Sequence, residues 1–101
     1  MTVRRGEIWR YQAIMRERTV LVVSCDPLND DGRVLVIDIL DIEPPGRRGM
    51  VSVSLGEFGY GYGHIIGVAP SERFVERLGV ATTEQMADVK SVLLTVFELH
   101  D

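Results

Sequence analysis

Cysteine is almost missing from this chain: Cys25 is the only one in 101 residues. A single thiol excludes an internal disulfide framework and a multi-cysteine zinc site. It also fits the cytosol, where thiols stay reduced. Histidine is nearly as scarce. His64 and His100 are too few for a His-rich metal cluster, so neither a metal nor another cofactor is expected. No apolar run approaches the roughly 20 residues that cross a bilayer. Arg4 and Arg5 are not followed by the apolar stretch of a secretory signal. The expectation is a cytoplasmic protein with no membrane partner. Lysine is scarce too: Lys90 is the one lysine among eleven basic residues.

The length implies one domain, residues 1–101. A chain of this size buries only about two-thirds of its unfolded surface. A hydrophobic fraction of 46% with 26% charged residues argues against disorder. The net charge of −4 hides an asymmetry. Residues 1–25 carry five arginines against Glu7 and Glu17, a net +3, so the remainder must carry −7. Arginine's planar fork suits phosphate and carboxylate. Local potential, not total charge, decides whether an acidic protein binds nucleic acid. Scattered surface arginines are the plainer reading of the same composition.

Residues 6–11 (Gly-Glu-Ile-Trp-Arg-Tyr) alternate and read as a half-buried strand whose inward face is not obvious. Residues 12–17 suit a short polar hairpin connection. Residues 19–24 and 33–42 are rich in branched apolar side chains and read as central strands buried on both faces. Between them, residues 26–32 form a turn cluster ending in Asp-Gly. Residues 44–49 (Pro-Pro-Gly-Arg-Arg-Gly) make a basic loop, and residues 51–55 alternate as a strand with one wet face. The glycine-rich stretch 56–63 matches no phosphate-binding fingerprint and reads as an irregular loop. Residues 64–68 form another short strand, 70–78 hold a helical turn, and 79–81 are briefly extended. Thr82 and Gln85 fit a capping box. Met86, Val89, Val92, Leu93, Val96 and Leu99 then recur at helical spacing. The sum is mainly β with a C-terminal helix: a strongly bent antiparallel sheet or small barrel with that helix packed on it.

Few residues offer chemistry. No nucleophile–histidine–acid spacing is present. His64 follows the glycine-rich stretch and either satisfies a local hydrogen bond, the commoner role, or lines a groove at the sheet's rim. Cys25, at the end of a buried strand, reads as a small packed side chain. Asp38 interrupts an apolar strand, where a carboxylate needs a partner. It either pairs with an arginine of the first strands or lines a functional groove. Asp38 and Asp41 fall on opposite faces and are not a catalytic pair. Arg16 and Arg18 flank Glu17 at the mouth of a central strand. An arginine held there is either an ordinary surface residue or a rigid cation suited to phosphate charge.

Three stretches carry a resemblance. Arg5-Gly6-Glu7-Ile8-Trp9 resembles the opening strand of the MazF/PemK-like toxins. Arg18-Thr19-Val20-Leu21-Val22-Val23-Ser24, with Asp26 and Asn29, is similar to that family's second strand and what trails it. Phe74 to Leu78, then Thr83-Glu84-Gln85-Met86 and an amphipathic helix, is similar to its C-terminus. The resemblance spans nearly the whole chain. It implies a small SH3-like β-barrel of the plasmid-maintenance toxin type, and a homodimer with a cognate antitoxin as partner. It also implies a metal-independent endoribonuclease acting on single-stranded RNA, in which the substrate's 2′-hydroxyl attacks the adjacent phosphate. The family's phosphate-stabilising arginine carries over onto Arg18, with Arg16, Thr19, Arg47 and Arg48 as RNA-binding candidates. Thr19 stands where the family has proline, the connection after Tyr11 is shorter, and Leu40 falls where the family has a catalytic Thr or Ser. Two alternatives stay open: a CcdB-like toxin that binds DNA gyrase and cuts nothing, and a catalytically dead regulatory relative.

Overall fold

The structure of the protein, a computed structural model that describes residues 2–98, is built on one antiparallel sheet of six strands. These are β1 (Glu7–Gln12), β2 (Glu17–Val22), β3 (Arg33–Leu40), β4 (Ser52–Ser54), β5 (Tyr60–Pro70) and β6 (Phe74–Val80). A short helix, α1 (Asp26–Asp30), joins β2 to β3, and a long one, α2 (Thr83–Glu98), follows β6. Leu99 and His100 lie outside the described residues. The spatial order is β4-β5-β3-β2-β1-β6. Only the three residues of a 3-10 turn, Ser71–Arg73, separate β5 from β6 in sequence, yet β3, β2 and β1 stand between them in the sheet. The sheet must therefore curl until its two sides meet, which is the bent small-barrel architecture expected. It stays open at one seam, because β4 and β6 are its two edges and do not pair.

Alternation along β1, β2 and β3 feeds two cores, one on each face. Trp9, Val20, Val22, Val34 and Val36 point to one side and pack with Val3, Ala69 and Phe74. Ile8, Leu21, Ile37 and Ile39 point to the other and pack with Val53, Leu55 and Val89. The first strand thus has no wet face over Ile8 and Trp9; both are buried. Each such side chain contributes about 1.5–3 kcal/mol. Helix α2 covers the second core with Met86, Val89, Val92 and Leu93. Its start is fixed by the capping box: the Gln85 N–H donates to Thr82 Oγ1 at 3.0 Å, and the Thr82 N–H donates to Gln85 Oε1 at 2.9 Å.

The glycine-rich stretch is not an irregular loop. After a 3-10 turn at Gly56–Phe58, β5 begins at Tyr60 and runs eleven residues. Its first two glycines, Gly61 and Gly63, face the packed side. A Cβ at Gly61 would lie 3.1 Å from Ile37 Cδ1, and one at Gly63 would collide with Val92 Cγ1 and lie 2.7 Å from the Val51 carbonyl oxygen. Only a bare backbone fits beneath α2 there, so the alternation is that of a strand with hydrogen as every second side chain. Residues 70–78 hold only the 3-10 turn before β6. That segment is extended because Phe74 to Val80 pair along β1 with two register shifts. The cluster 26–32 winds into α1, with a proline in its first turn.

Gly63→Ala should cost about 1–3 kcal/mol through overpacking, because the obstructing Val51 carbonyl is backbone and cannot rotate away. Chemical denaturation of the variant checks this, and undiminished stability would mean that α2 does not seat as described.

Candidate functional site

On the first face, the apolar core stops before the strands do. Arg18 and Val20 share a face of β2, and Val20 stands directly opposite Asp38 of β3. Beyond Val20 and Val36 the same row continues as charge. Arg18 Nη1 lies 3.7 Å from Asp38 Oδ2, with the arginine side chain 43% exposed and the aspartate 14%. Asp38 pairs with an arginine of the first strands, as one of the two sequence readings has it, and it also borders a hollow. At 3.7 Å the contact is longer than a hydrogen bond. The carboxylate steadies the guanidinium without occupying its fork, and the donors stay available to another anion.

That row borders a hollow of about 510 Å³. Arg16, Arg18 and Arg73 supply three cations to its wall, against the one carboxylate of Asp38, and Val36 and Ala69 form part of its apolar lining. A smaller hollow of about 220 Å³ shares Arg16, Arg18 and Asp38. A concave wall with this excess of cations concentrates positive potential where phosphates would sit. The β1–β2 hairpin tip overhangs the larger hollow with Ile14 and Met15, 84% and 91% exposed. This connection is less polar at its tip than its flanks imply.

The remaining candidates are placed less centrally. Thr19 pairs with Ile39 and faces the opposite side of the sheet from Arg18; it touches only the smaller hollow. Arg47 and Arg48 are exposed on the 3-10 turn Gly46–Val51, which leads into β4, and neither borders the larger hollow. His64 stands off it too, stacked on Tyr62 with ring centroids 5.6 Å apart. The local hydrogen bond expected of His64 is not made through Nδ1, which is buried without a partner. Leu40 ends β3 opposite Tyr60, and Ser54 and Ser52 stand beyond Tyr60 and Tyr62 on the same face. Ser52 Oγ is engaged, donating to the Gly49 carbonyl at 2.9 Å. Arg73 is the wall residue that sequence reasoning missed. It sits at a bend between strands, where the sequence reads as a helical turn, and it donates to the Gln12 carbonyl at 3.5 Å.

The residues trailing β2 are structural. The Leu35 N–H donates to Ser24 Oγ at 2.9 Å, Ser24 bonds the Asn29 side chain, and Asn29 Nδ2 reaches the Ser24 carbonyl and Asp26 Oδ1, both at 3.1 Å. The Arg5 N–H donates to Asp26 Oδ1 at 2.8 Å. Cys25 is exposed beside this knot rather than packed, since the chain leaves the strand there to begin α1. Among the described residues, no three histidine, cysteine, aspartate or glutamate side chains converge as a metal-ligand set. No helix among them is long and apolar enough to cross a membrane.

Solved structures share this architecture. An endoribonuclease in complex with its cognate antitoxin, from a mycobacterial species, superposes with a TM-score of 0.86 at 20% identity, covering 96% of each chain. MazF in a MazE–MazF complex from Deinococcus radiodurans gives 0.79 at 18% identity, again over 96% of each. The Mycobacterium tuberculosis toxin MazF-mt6 gives 0.74 at 14% identity, over 91% of this chain and 96% of that one. The fold is that of MazF. No family profile matches the sequence, and no curated protein matches it either. Within the MazF fold, Arg18 sits at the start of the second strand, the place that the sequence resemblance assigns to the phosphate-stabilising arginine.

Asp26 yields a pH-dependent prediction. The Arg5 N–H is the main cause holding its carboxyl below the ordinary value of 3.8; loss of water contact opposes it next, and the Asn29 amide and then the Arg4 guanidinium lower it further. A depressed folded-state value contributes stability above the unfolded value, and this is lost as pH falls through the folded one. Asp26→Ala should therefore lower the melting temperature at pH 7 and differ less from wild type near pH 3. An equal deficit at both would show that charge is not the cause.

Proposed function

We propose that this protein is the toxin of a type II toxin–antitoxin pair and cuts single-stranded RNA without a metal ion. The observation that carries the proposal is the Arg18 guanidinium: tethered by Asp38, half open to solvent, and set in the wall of an arginine-rich hollow. In the reaction, the ribose 2′-oxygen attacks the adjacent phosphorus and gives up its proton. The P–O5′ bond breaks, and the departing oxygen takes a proton. The products are a 2′,3′-cyclic phosphate and a 5′-hydroxyl end. Negative charge builds on the non-bridging oxygens in the transition state, and a preorganised guanidinium stabilises it there. Arg16 and Arg73 lie along the same wall and suit the flanking phosphates, while Arg47 and Arg48 suit more distant ones. The solved structures of this fold described above include endoribonucleases, which favours this reading over gyrase binding.

The same wall suits a protein partner. Exposed Ile14, Met15 and Val68 surround the arginines, a combination that fits an antitoxin tail of acidic and apolar residues folding on contact. Two of the similar structures are toxin–antitoxin complexes. A second copy of the chain would cover part of this apolar rim, making a homodimer.

Purified protein should cut RNA in the presence of EDTA, with primer extension mapping discrete ends. Arg18→Ala should lower the rate on the order of a hundredfold or more with its melting curve preserved. Undiminished cleavage by that variant removes Arg18 from the mechanism. Intact RNA, with gyrase recovered on the protein, would replace the nuclease reading by the binding one. Sedimentation should give a dimer at micromolar concentration; a monomer there contradicts the dimer.

A further inference from the structure

The row of rings on β5 has no part in either core. Glycines 61 and 63 turn their bare side to the packed face, so Tyr60 and Tyr62 share the other face with Asp38 and Leu40, their direct partners on β3. On the far side the partners are Ser52 and Ser54, too small to cover the rings. Tyr62 lies one strand beyond Asp38 in the row that starts at Val20; Arg18 is two strands over and two residues along β2, about 12 Å away at ordinary strand spacing. Its ring is held at both ends: the hydroxyl donates to the Ile42 carbonyl, and the face stacks on His64 at an interplanar angle of 29°. His64 Nδ1 is buried and unpartnered, so that nitrogen reaches no substrate proton. What the imidazole supplies is a flat backing.

We propose that Tyr60 and Tyr62, backed by His64, are a stacking platform for the nucleobases next to the phosphate held by Arg18. The platform rests on the ribonuclease reading and names what that site recognises besides phosphate. Tyr60 and Tyr62 are two residues apart on a strand, about 7 Å, or two stacking intervals of about 3.4 Å, which admits one planar base between them. A ring already held, as Tyr62 is by the Ile42 carbonyl and His64, loses little freedom when a ligand arrives. Stacking of this kind accepts any base, because every base has a π-face. The cations beside it bind the backbone, so the two together select single strands whose bases are free of a duplex.

The test compares two fluorescein-labelled heptamers by anisotropy. One is a random-sequence 2′-fluoro RNA, which lacks the attacking hydroxyl; the other has the same phosphates on abasic sugars. Wild type should bind the base-bearing probe roughly tenfold tighter or more. Tyr62→Leu and Tyr60→Leu should lose that preference while keeping the abasic affinity. Tyr62→Phe should retain it, and Arg18→Ala should weaken both probes alike. Equal wild-type affinity for the two probes overturns the platform but leaves the ribonuclease reading standing. So does a preference that survives in folded Tyr62→Leu and Tyr60→Leu. Should Tyr62→Leu fail to fold, Tyr60→Leu decides. A wild type that binds neither probe overturns the reading and the platform together.

Discussion

Two strands packed on both faces constrain everything else in this molecule. Through the middle of β2 and β3 the buried side chains are committed to one core or the other: Val20, Val22, Val34 and Val36 to the first, Leu21, Ile37 and Ile39 to the second. A slip of one residue would exchange the two sets and drive Asp38 beneath α2, where a carboxylate has no partner. The register that satisfies both cores is also the register that brings Arg18 and Asp38 into one row. The groove is therefore not an addition to the fold. It is the place where the first core runs out and the strands continue.

What the sequence made legible follows from the same periodicity. Long branched-apolar runs announce buried strands, and a threonine three residues before a glutamine announces a helix start; both survive in any context. The start of β5 was illegible because periodicity is read from side chains, and at Gly61 and Gly63 the packed side chain is a hydrogen atom. The signal lay in the alternation of glycine with tyrosine, and it has meaning only once Val92 and the Val51 carbonyl are seen to press on those positions. Edge strand β6 failed for another reason. Val75, Leu78 and Val80 are exposed, so its apolar residues do not mark a buried face. With β6 misread, Arg73 had no place in the wall. Arg18 stands out in the sequence because it precedes a strong apolar strand; that Asp38 pairs with an arginine of the first strands is one of two open readings, and only the structure names that arginine as Arg18.

The residues behind the family resemblance divide by their work. Glu7 is buried and accepts from the Arg4 N–H, Trp9 Nε1 and Arg77 Nη1, at 2.7, 3.0 and 3.2 Å. A buried carboxylate with three donors is well satisfied, and it ties the first strand to β6. Ser24, Asp26 and Asn29 tie the end of β2 to the chain before β1. These are corner fastenings of a curled sheet. Of the stretches that resemble the MazF/PemK toxins, Arg18 is the arginine that lines the larger hollow, and this sets its chemistry apart from the fastenings.

The sequence resemblance puts the family's hydroxyl near Leu40, and on the proposed reading the consequence is one of division of labour. A cation beside the phosphate stabilises charge, but it does not by itself align the 2′-oxygen with the departing 5′-oxygen. Alignment is worth as much as charge stabilisation in reactions of this kind, and here it cannot come from residue 40. The groups left on that face are the ring of Tyr60 opposite Leu40, the ring of Tyr62 opposite Asp38, and the serines beyond them. Rings hold bases, and gripping the base next to the bond restrains the sugar that carries it. On the proposed reading, the substrate's own stacking takes over the positioning for which the resemblance assigns a side-chain oxygen, and the charge is left to Arg18.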